Sequence, residues 1–588
     1  MKMTNNQSIR KIAVWKTAII TVSCIGLIAC IAVLFPQIRR MIMDLGKQIV
    51  GKEAGTYQVW FRVLLSYAMG GICFILFFDY CTLTNSGRTF ARKVIQEMKN
   101  CLSEIDFRSL LKPVLIMFGV YLLGALTIIR ANFSYIDDVG HSVTGFREWY
   151  NWSRYVMYFF SIVVHGDTNI TDISPLTQLI AISFLSISSV LLVYIINNRK
   201  VSIMWLLASI PLGLSPYYLE CLSYKFESPY MALSILASII PFLFINRKKA
   251  FFFSSVVSLL VMCMSYQASS GIYLLIVVIL GFQNWNSRKK TNKEILSFLG
   301  IATFAFSFAI LIFKFFLMRP AVYYVSTAMQ PLPHLISGSL NNIKDYAMII
   351  NKDFGLIWKI AALFVCILFI TTSIYRSSQK KPFSLFVSIL VVGISFILSY
   401  GVYIFLEIPL FEPRALYGFG VLLAILCIYI VSDYKKVAII SVLALNWCFL
   451  IFAFSYGNAL ADQARYAEFR IGILLHDLSS IYSIQNEKDI PIQLKNSIDY
   501  APSIKNISKH YPIIERLVPK RLAEVSFWDN YYYLEHFHYS HFYLANIPLN
   551  APIDKYIDFN SLNLPVVLDS YYHTIQSDGT RILVVLKH

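Results

Sequence analysis

The chain is a succession of long apolar runs separated by short basic clusters, and that alternation constrains its fold before anything else does. An apolar run of about 20 residues crosses a bilayer. Backbone in lipid must satisfy its own hydrogen bonds, so such runs become helices. Read this way, thirteen candidate spans lie near 13–34, 59–80, 110–129, 175–196, 201–215, 229–246, 250–264, 271–283, 295–317, 357–375, 383–406, 415–432 and 437–455. Several are short, and 250–264 with 271–283 could form one broken or tilted pair. The expected fold is an α-helical polytopic membrane protein with about 11–13 transmembrane helices.

Composition excludes the main alternatives. Hydrophobic residues make up 57% and charged residues 14%, which fits neither a soluble enzyme nor a disordered chain. A net charge of +18 would suggest nucleic acid in a soluble protein. Here no nucleic-acid partner is expected, because the positive charges sit between apolar runs, where they orient spans. From Tyr456 onward there are 12 Lys+Arg and 14 Asp+Glu, leaving 39 and 19 for residues 1–455. The near-neutral tail, 456–588, is expected to be a small soluble α/β domain.

Arg10–Lys11, Arg88 to Lys99, Arg199–Lys200, Arg247 to Lys249, Arg288 to Lys290, Arg376 with Lys380–Lys381, and Lys435–Lys436 share one side if all thirteen spans are real. Arg39–Arg40 is the exception. The positive-inside rule makes the shared side cytoplasmic and the first span a signal anchor. The opposite side then holds the long loops 130–174, 216–228, 318–356 and 407–414 together with the tail, and chemistry is expected there. The tail should open with a helix bearing Tyr466, Phe469, Ile473, Leu474 and Leu478. It should close with a hairpin of Val566–Leu568 and Ile582–Leu586 about Asp578–Gly579.

Four constellations could carry chemistry. Asp137 and Asp138 follow a span end, where low dielectric and mutual repulsion raise one pKa and make a general base; the same pair could simply form turn hydrogen bonds. The segment from Val143 to Phe160 reads as an interfacial amphipathic helix, with Phe146, Trp149, Tyr150, Val156 and Met157 on one face and Arg147, Glu148, Asn151 and Arg154 on the other. The stretch 216–227 reads as a short outer loop whose Glu220, Glu227, Tyr224 and Lys225 suit a sugar and a phosphate, although a solvated loop has the same composition. Arg414 can bind phosphate bidentately, or it can snorkel. His536, His538 and His541 lack a supporting ligand motif, so no metal is expected. There is no phosphate-cradling glycine loop, and no cofactor is expected.

Together these stretches resemble the bacterial O-antigen glucosyltransferases of serotype conversion, the Gtr type-II family. The resemblance rests on Asn132–Gly145 (NFSYIDDVGHSVTG), Asp172–Pro175 (DISP), Ser215–Ser234 (SPYYLECLSYKFESPYMALS), Ser265–Ser269 (SYQAS) and Pro413–Gly418 (PRALYG). The chain departs from many relatives at His141, where they carry an arginine. The resemblance implies a GT-C-like enzyme of the bacterial inner membrane. Its N-terminus would be cytoplasmic and its tail periplasmic. It would transfer glucose from undecaprenyl phosphate to the O-antigen repeat and work alongside a flippase and a lipid-linked-glucose synthase.

An inverting transfer needs one base and cationic stabilisation of the departing phosphate. The base is assigned to Asp137 or Asp138, and the phosphate to Arg414 with Lys225 second. Sugar contacts are assigned to Glu220, Tyr224, Glu227, Trp149 and Arg147. A transporter or flippase of lipid-linked glycans is the alternative, but it would place ionisable residues inside spans. A non-catalytic scaffold would have no reason to gather carboxylates and an arginine at one face.

Overall fold

The computed structural model describes residues 84–319, 328–432, 436–481, 490–524, 527–537, 542–544 and 558–587. The first two expected spans lie outside these residues. The described residues divide into two compact units, those within Met1–Glu104 with Ser307–Pro320, and those within Ile105–Phe306 with Ala321–His588. In the first, α1 (Asn85–Ser103) starts at Thr84, whose hydroxyl accepts from the Gly87 N–H at 2.9 Å, and carries Arg88, Arg92, Lys93 and Lys99.

In the larger unit the α-helices of eight or more residues are α2 (Phe107–Ala131), α3 (Asp137–Thr144), α4 (Tyr155–His165), α5 (Leu176–Ile196), α6 (Pro216–Ser223), α7 (Ser228–Ile239), α8 (Lys248–Ser265) and α9 (Ser270–Asn286). After α10 (Asn292–Ile312), which passes into the other unit, come α11 (Leu335–Asp353), α12 (Leu356–Tyr375), α13 (Lys381–Leu398), α14 (Gly418–Val431) and α15 (Lys436–Ile481). The tail adds α16 (Pro502–His510) and α17 (Phe527–His536).

Among the described residues, eight helices are long and apolar enough to cross a membrane, so the chain is read as a multi-pass membrane protein. The expected pair 250–264 and 271–283 is two separate helices, α8 and α9, divided at Tyr266. Three other expected spans are not full-length helices. The run 201–215 breaks into Ile203–Ala208 and Pro211–Leu214, 229–246 becomes α7 plus a 3-10 turn, and α14 has 14 residues. At 1.5 Å per residue α14 is only ~21 Å long. Apart from Ile203–Ala208, which is only partly covered, these short pieces are buried in protein almost throughout, where broken helices are tolerated at membrane depth. By contrast α12 turns Leu356, Ile357, Ile360 and Leu363 outward, a face that suits lipid.

Helix α2 packs on α5 and α15. Its crossing with α15 is close because Gly457 has no side chain: a Cβ there would lie 2.4 Å from Thr127 Oγ1. The Thr127 hydroxyl donates to the Ala453 carbonyl at 3.1 Å, the kind of polar contact that holds membrane helices together.

The expected domain boundary after residue 455 falls inside α15, which runs unbroken for 46 residues. Its C-terminal half carries Ile471, Leu474 and Leu478 into the tail core; Phe469, expected to share that face, is exposed. The tail sheet has five strands in the order β2-β1-β5-β4-β3, from Ile490–Lys495 (β1), Phe542–Leu544 (β2), Val566–Asp569 (β3), His573–Ser577 (β4) and Ile582–Leu586 (β5). Strand β1 is parallel to β2 and β5, and β4 is antiparallel to β3 and β5. The Asp578–Gly579 turn therefore joins β4 to β5, not Val566–Leu568 to β5. His573–Ser577 escapes notice in the sequence because Ile575 is its only apolar side chain. Its alternate residues His573, Ile575 and Ser577 are nonetheless buried.

Candidate active site

Helix α2 stops where Asn132 takes a left-handed conformation, φ 47°. The chain turns and re-enters helix at Asp137. The two aspartates of the doublet then have different environments. The Asp138 carboxylate is buried and accepts the Tyr135 N–H at 2.8 Å, the Lys225 N–H at 3.0 and 3.1 Å on its two oxygens, and the Phe226 N–H at 3.4 Å. Its acceptor capacity is spent joining α3 to the turn between α6 and α7. Asp137 is half-buried, and its carboxylate has no hydrogen-bond or ion-pair partner among the described residues. Burial first, then the charge of Glu227, raises its pKa to about 6, against the pull of His141, Arg414 and Arg154.

The 216–227 stretch is not an open loop. Residues 216–223 form α6, and every residue from Ser215 to Glu227 is buried. Such charges must be paired, and they are. Glu220 Oε1 lies 3.0 Å from Arg414 Nη1, and its Oε2 accepts the Arg414 backbone N–H. Burial nevertheless lifts the Glu220 carboxyl to about 7. Lys225 Nζ donates to Asp172 Oδ2 at 2.9 Å, so the second-choice phosphate ligand is held by the DISP segment. Glu227 Oε1 accepts the Trp149 indole N–H at 2.6 Å and lies 3.6 Å from Arg154 Nη1. Tyr224 packs against Tyr135 at 4.8 Å and under Arg414 at 5.7 Å. Its hydroxyl is buried without a partner among the described residues, as are those of Tyr230 and Tyr266.

The expected Val143–Phe160 helix is three pieces: α3 ends at Thr144, a 3-10 turn covers Glu148–Trp152, and α4 begins at Tyr155. Gly145 and Ser153, both at positive φ, break it. Trp149 is consequently not an interfacial anchor. It is 2% exposed, with its ring beside His141 at 5.2 Å and Tyr230 at 5.7 Å. Arg147 leans on α4, its guanidinium 4.4 Å from the Tyr158 ring centre.

Arg154, assigned only to a polar helix face, in fact reaches Glu227 and lies 4.9 Å from the Tyr266 ring centre. No local signal distinguishes it, since its partners are more than 70 positions away. The SYQAS turn joins the same cluster: Ser269 Oγ is 2.7 Å from both Ser234 Oγ and the Tyr417 hydroxyl. Among the described residues no group of three metal-ligating side chains occurs; His538 and His541 lie outside them.

The tail closes the site from one side. Val139 of α3 is part of the tail's apolar core. Arg521 is 2% exposed, donates to the Ser134 carbonyl and lies 4.6 Å from the Phe133 and Tyr533 ring centres. Arg516 reaches Asp353 at the end of α11 and the Phe411 carbonyl, and Asp353 also accepts the Tyr217 hydroxyl at 3.0 Å.

Five stretches scattered from Asn132 to Gly418 thus meet around one buried charge cluster. The chain is 23% identical over 436 residues, 70% of its length and 88% of the relative's, to an uncharacterized 55.3 kDa protein in the gtrB 5′ region of Salmonella phage P22. No solved structure matches it. The profile of Glucosyl transferase GtrII matches residues 126–425, which is just over half of the chain and takes in all five stretches. The helices that bring these stretches together therefore belong to a member of the GtrII glucosyltransferase family.

Proposed function

We propose that this protein is an inner-membrane glycosyltransferase that moves glucose from undecaprenyl phosphate to a sugar of the O-antigen repeat, on the periplasmic face, in serotype conversion. The observation that carries the reading is the contrast within the doublet: Asp138 is consumed by three backbone N–H groups, whereas Asp137 has no partner among the described residues and feels the charges of Arg414 and Arg154. Asp137 takes the proton of the acceptor hydroxyl as its oxygen attacks the anomeric carbon. The bond from that carbon to the phosphate oxygen breaks, and the electron pair leaves with undecaprenyl phosphate. Arg154 and Arg414 stabilise that phosphate, and attack from the opposite face inverts the anomeric centre. The buried hydroxyls of Tyr224, Tyr230 and Tyr266 bond sugar hydroxyls. Lys225, Glu220 and Glu227 hold the walls in register. A flippase and a lipid-linked-glucose synthase supply the donor.

The test is sugar transfer in membranes carrying equal amounts of each variant. Asp137→Asn keeps shape but not basicity, and should reduce the rate by roughly 10²-fold or more. Near-normal transfer by Asp137→Asn would overturn the assignment.

A further inference from the structure

A cavity of about 250 Å³ opens at the ends of α5, α9, α12 and α14, lined among others by Asn197, Gln283, Lys289, Arg376 and Ser432. That is several times the ~30 Å³ share of one water. Helix α5 starts four residues after Asp172 and has 21 residues, so this cavity lies ~30 Å from the charge cluster at Asp137. It sits at the end of the bundle that carries Arg199–Lys200 and Arg288 to Lys290.

Its lining holds two cationic side chains and, among the described residues, no carboxylate. Four helix C-termini meet here, and their carbonyl ends attract cations. Arg376 answers that need: Nη1 donates to the Tyr429 carbonyl at 3.0 Å, and the guanidinium lies 5.2 Å from the Tyr429 ring centre. Lys289 is the second cation of the lining, and its ammonium pairs with nothing among the described residues. Asn197 supplies the second, independent observation. It is 9% exposed, and its Oδ1 accepts the Ser432 hydroxyl at 3.1 Å. Its Nδ2 is a buried donor without a partner among the described residues. A buried donor left so is costly, and an oxygen-rich anion would satisfy it.

We propose that this cavity binds the phosphate ester of an anionic ligand, the headgroup of an anionic phospholipid or a soluble phosphate ester, through Lys289, Arg376 and the Asn197 amide. Basic pockets between membrane helices bind anionic headgroups in this way. The site is independent of the transfer reaction proposed above.

The experiment is native mass spectrometry of the full chain in detergent, titrated with phosphatidylglycerol, with diacylglycerol of the same acyl chains, and with inorganic phosphate. Phosphatidylglycerol should bind saturably and diacylglycerol should not. Lys289→Gln should weaken phosphatidylglycerol about fivefold, the scale of one basic residue near an anionic lipid, and Asn197→Leu should also weaken it. Lys290→Gln carries the same charge change outside the lining and should leave it unchanged. Phosphate that displaces the lipid at comparable affinity, with the same variant dependence, assigns the site to a soluble ester. Equal loss in Lys289→Gln and Lys290→Gln, binding of diacylglycerol, or no saturable binding of either phosphate compound overturns the proposal. Because Lys289 is exposed, its variant keeps the test informative even if Arg376→Gln misfolds.

Discussion

The Tyr135 hydroxyl donates to the Leu517 carbonyl at 2.7 Å, across 382 positions of sequence. Tyr135 is two residues before Asp137, so the tail holds the backbone that presents the proposed base. The Tyr456 hydroxyl reaches the same carbonyl at 3.3 Å and the Ser223 hydroxyl at 2.8 Å, which joins α15, α6 and the tail at one point.

The tail is therefore inseparable from the site. A chain ending after Leu460 leaves Val139, Tyr135 and the Ser134 carbonyl without their partners. It should lose donor binding together with transfer, measured by retention of a lipid-phosphate sugar on the purified truncate. Tyr135→Phe is the milder probe and should cost about 1 kcal/mol of stability, the worth of one hydrogen bond. A stable truncate that binds donor normally would refute this dependence.

The rate should follow the ionisation of Asp137. With its pKa raised to about 6, the base is charged at pH 7.5 and half-protonated near pH 6, so transfer should fall as pH drops through that value. Glu227 is the leading charge that raises this pKa. Glu227→Gln should accordingly move the acid limb of the pH–rate profile to lower pH. A limb that stays put, or moves up, would argue against Asp137 as the titrating group.

Thermal stability should separate the two aspartates by sign. A carboxyl whose folded pKa is raised favours the native state below its unfolded value, about 3.9, and loses that advantage as pH rises through about 6. At pH 7.5 the ionised Asp137 is the penalised form, so Asp137→Asn should raise the melting temperature while transfer is lost, and the gain should shrink at pH 5. Asp138→Asn turns amide hydrogens toward N–H groups and should lower stability by about 1–3 kcal/mol. Melting curves of both variants at the two pH values check the contrast.

Arg414 should matter for stability as well as turnover. It is paired with a Glu220 that is 1% exposed, and removing one partner of a buried pair costs about 3–5 kcal/mol. Arg414→Ala should therefore destabilise strongly. Arg414→Lys keeps the charge, loses the fork, and should reduce turnover more than it reduces the melting temperature. Unchanged turnover in Arg414→Lys would remove it from phosphate stabilisation.

The spans α2, α5, α12 and α13 were legible in the sequence because each is an apolar run of membrane length, a property that composition alone carries. So were the doublet, Glu220, Glu227 and Arg414 as chemically dense positions. What composition could not tell was whether an apolar or a charged stretch is covered by lipid, water or protein. The pieces 201–215 and 229–246 read as spans because hydropathy does not distinguish burial in protein from burial in lipid. The stretch 216–227 read as a loop because its charges are polar locally, yet it is buried because those charges find partners far away. Glu220 meets Arg414 across 194 positions, and Asp138 meets Lys225 across 87. No local period records such pairings, so only the tertiary structure could decide which aspartate of the doublet is spent as a structural acceptor and which is not.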